Sequence, residues 1–253
     1  MSLSLHEKTI LITREQHQAK EFSEKILQYG GKPIEVPLLN VSCKDHAENE
    51  EIFKALHVYQ WLFFTSANGV ACFFQLAKKY QVNIDNLKTK QFAVVGHKTG
   101  NALEKFGFTA DFIPSTYNAD VMASEFLKNS TEVGPVLLIR GNRSRDVLPT
   151  EFTMHGLSFR SLEVYETTYN YKMADRLNEV LAKKKYDFLT FTSPSTVEAF
   201  SEMAVIENEK TCVCIGTTTE ARAQALGFTT IITPAEFTID GMLACISDYI
   251  VKG

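Results

Sequence analysis

No run in this 253-residue chain reaches the roughly 18 consecutive apolar residues of a membrane-crossing helix, and the uncharged stretch Trp61 to Ala77 is interrupted by Thr65-Ser66-Ala67-Asn68-Gly69. A bilayer span is therefore not expected. Met1 to Leu11 has no basic segment leading into an apolar stretch and a small-residue cleavage site, so no secretory leader is read and a cytoplasmic location is expected. The five cysteines never show CxxC spacing and the six histidines stand singly, which gives no metal site. An odd cysteine count, with Cys212 and Cys214 alternating in an apolar run, reads as reduced and buried thiols. G-x-G-x-x-G, G-x-x-x-x-G-K-[ST] and G-x-S-x-G are all missing, so the usual dinucleotide, nucleotide and serine-hydrolase sites have no support. Basic residues number 26 against 30 acidic ones and form no stripe with interleaved aromatics, which disfavours nucleic acid as a partner. The expectation is a chain without cofactor or metal, acting on a small molecule, with a monomer as the default.

What is present is the 45% hydrophobic, 22% charged balance of a globular protein with core enough for one large or two modest domains. Short Ile/Val/Phe runs alternate with stretches of helical period, the pattern of βα units around parallel sheets. Thr9 to Thr13 reads as a buried strand, Gln18 to Tyr29 as a helix closed by Gly30-Gly31, and Ile34 to Val41 as a second strand. Trp61 to Thr65 and Phe92 to Val95 each precede a helix, the latter running from Thr99 to Phe106 before Gly107.

Blocks recur in order along the chain. Ile10-Leu11-Ile12-Thr13-Arg14 matches Val136-Leu137-Leu138-Ile139-Arg140 at an offset of 126. Phe64 to Val70 matches Phe191 to Val197 at 127, and Val95-Gly96-His97-Lys98-Thr99 matches Ile215-Gly216-Thr217-Thr218-Thr219 at 120. Such self-similarity predicts a duplicated α/β module and two similar lobes with a cleft between them.

In open parallel sheets, ligands bind beyond the carboxyl ends of the strands. There this chain places Thr13-Arg14, Thr65-Ser66-Ala67-Asn68, Gly96-His97-Lys98-Thr99, Arg140-Gly141-Asn142-Arg143, Thr192-Ser193-Pro194-Ser195 and Gly216-Thr217-Thr218-Thr219. Hydroxyls and free N–H groups at helix N-termini bind anions, and arginine adds a forked cation, so these turns suit carboxylates. Ser, Thr and Asn are equally the ordinary caps of any helix, and each turn alone could be no more than that. Of the histidines, only His97 stands where it could approach a ligand, and Asp45 to Glu51 reads as the acidic first turn of a helix.

Leu11-Ile12-Thr13-Arg14 with Gln18-Ala19, Val36-Pro37-Leu38, Phe64 to Val70, Val94-Val95-Gly96, Leu138-Ile139-Arg140-Gly141, Val164-Tyr165-Glu166-Thr167, Phe191 to Ser195 and Ile215 to Ala221 follow one another over nearly the whole chain. In that order and spacing the sequence resembles the uroporphyrinogen-III synthase family. The resemblance implies two flavodoxin-like parallel-sheet lobes joined by a two-stranded linker, residues 1–37 plus 168–253 forming one and residues 38–167 the other, with substrate in the cleft. It implies a cofactor-independent cyclising hydro-lyase of tetrapyrrole (haem) biosynthesis. The substrate would be hydroxymethylbilane, a linear tetrapyrrole octacarboxylate, converted with inversion of its last pyrrole ring to uroporphyrinogen III and water. By motif match Tyr165 would assist departure of the hydroxyl, or would merely pack in the linker, and Ser66, Thr99, Ser193, Thr218 and Thr219 would hold carboxylates. Arg14 and Arg140 would join them, or would brace their own turns. Thr217, where many relatives carry Pro, and His97-Lys98 depart from the family pattern. A non-enzymatic two-lobed binding or regulatory module with the same fold is the alternative, and incubation with hydroxymethylbilane separates them.

Overall fold

The computed structural model describes residues 3–116, 119–129, 134–206 and 210–252; Thr131, where a simple tandem division of the chain would fall, lies outside them. The fold is mixed α/β, with two five-stranded sheets, and the chain divides into two compact units, Met1–Asn40 with Thr168–Gly253 and Val41–Thr167.

In the first unit, β1 (Thr9–Ile12), β2 (Lys32–Glu35), β8 (Phe188–Phe191), β9 (Thr211–Cys214) and β10 (Ile231–Ile232) lie in the order β10-β9-β8-β1-β2, all neighbours parallel. Renumbered along that unit, this is the 2-1-3-4-5 order of doubly wound sheets. Helices α1 (Gln16–Gln28), α7 (Ala174–Lys183), α8 (Pro194–Met203), α9 (Thr217–Ala225) and α10 (Ile239–Lys252) belong to it. Every residue of β8 is buried, as expected of a parallel strand covered on both faces. Leu11, Leu189 and Phe191 face one core, and Ile10, Ile12 and Phe188 face another with Phe22 and Leu243. Helix α1 begins where the Glu15 carboxylate accepts the His17 N–H and ends at Gly30, whose φ of 74° suits a residue without a Cβ.

The second sheet, ordered β3-β7-β6-β4-β5, consists of β3 (Leu39–Cys43), β4 (Trp61–Phe64), β5 (Gln91–Val94), β6 (Val136–Gly141) and β7 (Phe159–Tyr169), and belongs to the second unit except for the first two residues of β3 and the last two of β7. The β4, β5, β6 and β7 neighbours are parallel. Its helices are α2 (Asn49–Lys54), α3 (Ala67–Lys79), α4 (His97–Glu104), α5 (Ala119–Asn129) and α6 (Val147–Met154). Alternation along β4 sends Leu62 and Phe64 to one core and Trp61 and Phe63 to the other, where Phe63 meets Phe126 edge-on at 4.6 Å.

Two expectations are corrected. The single strand expected over Ile34 to Val41 is two strands in different sheets, because Pro37 has no N–H to give and Val36 and Leu38 instead donate to Ile12 and Thr13 carbonyls. Those bonds, with Leu39 packed among Leu11, Val36 and Leu38, keep residues 36–39 in the first unit, which runs to Asn40. Nor are all five cysteines reduced. Cys43, ending β3, and Cys72, in α3, form a disulfide with Cα atoms 5.2 Å apart, a proximity that a sequence separation of 29 conceals. Cys212 and Cys214 are buried thiols as expected, and burial pushes the Cys212 thiol well up.

Candidate functional site

Strand β7 runs in register with β6 from Val136 opposite Phe159 to Arg140 opposite Glu163, and then skips, so that Gly141 faces Tyr165. Val164 is the extra residue of a bulge, a device that re-aims the side chain beside it. Strict alternation would send Val164 and Tyr165 to opposite faces, yet both are buried and both join the same core cluster. The bulge is tied on each side: Lys44 N–H donates to the Val164 carbonyl at 2.8 Å and Asn142 N–H to that of Tyr165 at 3.2 Å. The Asn142 side chain then closes on Thr167, accepting its N–H at 2.9 Å and donating to its carbonyl at 3.3 Å.

The Tyr165 ring lies on Gly141 so closely that a Cβ there would stand 2.3 Å from the ring carbon bearing the hydroxyl. Glycine is required by contact. From this seat the phenol reaches Ser66, whose Oγ donates to the Tyr165 oxygen at 3.0 Å. Ser66 is also the cap of α3, accepting the Gly69 N–H at 3.0 Å. Tyr165 is 9% exposed, a ring almost wholly packed into the core.

Arg140 is turned inward. Its guanidinium donates to the Ser144 carbonyl at 2.5 Å and pairs with Asp146 at 2.7 Å, while Gly141 N–H donates to Ser144 Oγ. Of the two roles open to Arg140, the brace is the one its contacts serve. Arg140 and Ser144 line a cavity of about 300 Å³ with Thr65, Val95 and Leu138, beyond the ends of β4, β5 and β6. Thr99 is 4% exposed on the first turn of α4, inward of exposed His97 and Lys98.

In the first unit, Arg14 follows Thr13, whose hydroxyl donates to the Thr190 carbonyl at 2.7 Å. One arm of its fork donates to Gln18 at 2.5 Å, and its Nε is buried with no partner among the described residues. Burial draws the Arg14 pKa below its ordinary value, against the opposing charges of Glu21 and Glu15. Ser193 caps α8 in a closed capping box, its Oγ accepting the Thr196 N–H and its own N–H donating to Thr196 Oγ1, each at 3.3 Å. Thr219 is 1% exposed and Thr218 is exposed beside it.

Of the expected site residues, the structure joins Ser66 to Tyr165, gives Arg140 and Ser193 internal work, and buries Thr99 and Thr219. Sequence reasoning missed Gly69, Gly141, Asn142 and Ser144 as parts of the same assembly. Gly141 had a signal, a glycine directly after a strand, but the bulge that demands it arises only from pairing. Among the described residues no group of three or more His, Cys, Asp or Glu could hold a metal ion, and no helix is long and apolar enough to cross a membrane.

Comparison with known proteins adds an independent line. The family model described as uroporphyrinogen-III synthase HemD matches residues 20–244. The porphyrin biosynthesis protein HemD of Ruminiclostridium josui is 27% identical over 92% of this chain, which spans 47% of that protein's length. The uroporphyrinogen-III synthase of Chlorobaculum parvum is 28% identical, covering 91% of this chain and 94% of its own. A crystal structure of a mutant uroporphyrinogen III synthase from the extremely thermophilic bacterium Thermus thermophilus superposes with a TM-score of 0.69 at 16% identity, over 97% of this chain and all of the other, which shows the shared fold. These relatives do not favour a non-enzymatic module. With the motif order running the length of the chain and the family match covering nearly all of it, the chain belongs to the uroporphyrinogen-III synthase family of tetrapyrrole biosynthesis.

Proposed function

We propose that this member of the family closes hydroxymethylbilane to uroporphyrinogen III with Tyr165 assisting loss of the terminal hydroxyl. The Tyr165 phenol donates a hydrogen bond to the departing oxygen. The carbon–oxygen bond breaks with its electron pair going to oxygen, and the pyrrole nitrogen's lone pair stabilises the cation left behind. The substituted carbon of the last ring attacks, and a spiro intermediate rearranges to invert that ring. Loss of one ring proton restores aromaticity, so the hydroxide and the proton together leave as water. Ring closure runs on the substrate's own nucleophile, and the protein's contribution is to select the folded bilane that gives the type III isomer. Positioning of this kind can be worth up to about 7 to 11 kcal/mol.

The observation that carries the reading is the Tyr165 hydroxyl, seated at a strand bulge and partnered by Ser66. Arg14 is assigned to a substrate carboxylate, since Gln18 takes one arm of its fork and its Nε has no partner among the described residues. Exposed Thr218 and the N–H groups opening α4 and α9 supply further donors, with buried Thr99 and Thr219 shaping those turns. Arg140 and Ser193 brace their turns. The enzyme is assigned to the cytoplasm as a monomer. Duplication of one module is supported by burial: Trp61 to Val70 and Phe188 to Val197 run through the same sequence of four buried, four half-buried and two buried residues.

The test is kinetic. Incubation with hydroxymethylbilane, oxidation and chromatography should show mainly the type III product. Tyr165→Phe should lower turnover about 10 to 100 fold with the fold intact, because it removes one donor and almost no packing. Type I product alone would sink the function, and unchanged turnover in Tyr165→Phe would return that residue to packing.

A further inference from the structure

We infer that Ser66 is a positioning residue for Tyr165, its hydroxyl donating to the phenol oxygen so that the phenol's own proton points to the substrate. This rests on the reading of Tyr165 given above and deepens it.

A serine hydroxyl has one proton and two lone pairs. In Ser66 one lone pair takes the Gly69 N–H at 3.0 Å and the proton goes to Tyr165 at 3.0 Å. While that proton is given to Tyr165, Ser66 has none to give a carboxylate. A phenol with nothing on its oxygen turns its O–H freely between two in-plane directions. With the Ser66 proton on one side of that oxygen, the Tyr165 proton takes the other. Gly141, in contact with the ring, and the Val164 bulge set where that direction leads. The chain of donors begins at the N-terminus of the 13-residue helix α3, and each bond polarises the next in the same sense, making the phenol a better donor.

The arrangement is not what a helix cap does by default. Ser193 stands in the matching turn of the other unit, and there Thr196 fills the third helical position and closes the box with its own hydroxyl. The third helical position of α3 is Gly69, which has no side chain, and the Tyr165 ring passes 3.7 Å from where its Cβ would be.

The experiment is a double-mutant cycle on turnover of hydroxymethylbilane, in the full chain, with Ser66→Ala and Ser66→Thr each made with Tyr165 and with Tyr165→Phe. Loss of one orienting hydrogen bond should lower kcat about 3 to 10 fold in Ser66→Ala, with KM nearly unchanged. Ser66→Thr, which keeps a hydroxyl, should recover most of that loss. In the Tyr165→Phe background Ser66→Ala should cost nothing further in kcat. Its capping loss should appear in both backgrounds alike, as a fall in Tm of about 2 to 4 °C. An equal loss of kcat in both backgrounds would make Ser66 a cap alone and overturn the inference while leaving Tyr165 in place. A rise in KM with constant kcat would return Ser66 to carboxylate binding and overturn it as well. Unchanged kinetics in Tyr165→Phe alone would remove the reading beneath it, and this one too.

Discussion

Ser66 and Ser193 stand in matching turns, each after a fully buried four-residue strand and each capping the helix that follows. In the first unit the Thr196 hydroxyl takes the Ser193 N–H and gives its own proton to the Ser193 carbonyl, which closes the box. In the second, glycine at position 69 has no hydroxyl with which to close a box, and the Ser66 hydroxyl meets Tyr165. Arg14 and Arg140 make the same comparison at the ends of β1 and β6, with the roles of the units exchanged. Arg140 is held by Ser144 and Asp146, whereas Arg14 keeps a buried Nε with no partner among the described residues. Two strand ends with nearly one sequence thus divide into a guanidinium whose contacts are internal and one with a donor unsatisfied. The lesson is that a motif locates a candidate, while the neighbours that satisfy it decide whether it is available.

The units also differ in covalent support, since the disulfide lies wholly in the second and the free cysteines, 212, 214 and 245, lie in the first. The largest effect should come from breaking that difference. Reduction, or Cys43→Ser with Cys72→Ser, should cost the second unit roughly 3 to 4 kcal/mol for a loop of this length. Thermal unfolding with and without reductant checks it, and a Tm insensitive to reductant would mean the bond contributes nothing.

Next is Gly69→Thr, which rebuilds in the second unit the box that Thr196 makes in the first. Its Cβ would stand 3.3 Å from Ser66 Oγ and 3.7 Å from the Tyr165 ring, so that while its hydroxyl takes the Ser66 N–H its bulk crowds the contact between Ser66 and Tyr165. Turnover should fall about 10 to 100 fold, to the level of Tyr165→Phe, with α3 still capped. Full activity in this variant would show that the glycine is incidental.

The smallest effect sharpens the arginine pair. Arg14→Gln should raise KM about 10 fold, the loss of a charge-assisted bond made to substrate and transition state alike. Arg140→Gln should leave KM within about 2 fold and lower Tm instead. Equal KM changes in the two variants would erase the distinction drawn between them.

The βα rhythm, the buried strands and the turns that carry the site were legible in the sequence because each depends on neighbours three or four residues away. Thr9 to Thr13 and Trp61 to Thr65 could be read from apolar runs, and α1 could be closed at Gly30 by a rule about left-handed backbone. The Cys43–Cys72 bond could not be read, because the deciding partner is far along the chain.

The sequence by itself determined that this chain is an α/β protein with paired blocks at its strand ends, and that its motifs fall in the order of one enzyme family, since periodicity, caps and glycine turns are local. Tertiary structure decided which of the matching residues are open to chemistry. The Val164 bulge exists only when β7 lies beside β6, and Gly141 is required only once the Tyr165 ring rests on it. Ser66 gives its proton to a residue 99 positions away, and a hydrogen bond of that span forms only after packing has met the entropy of bringing the two ends together.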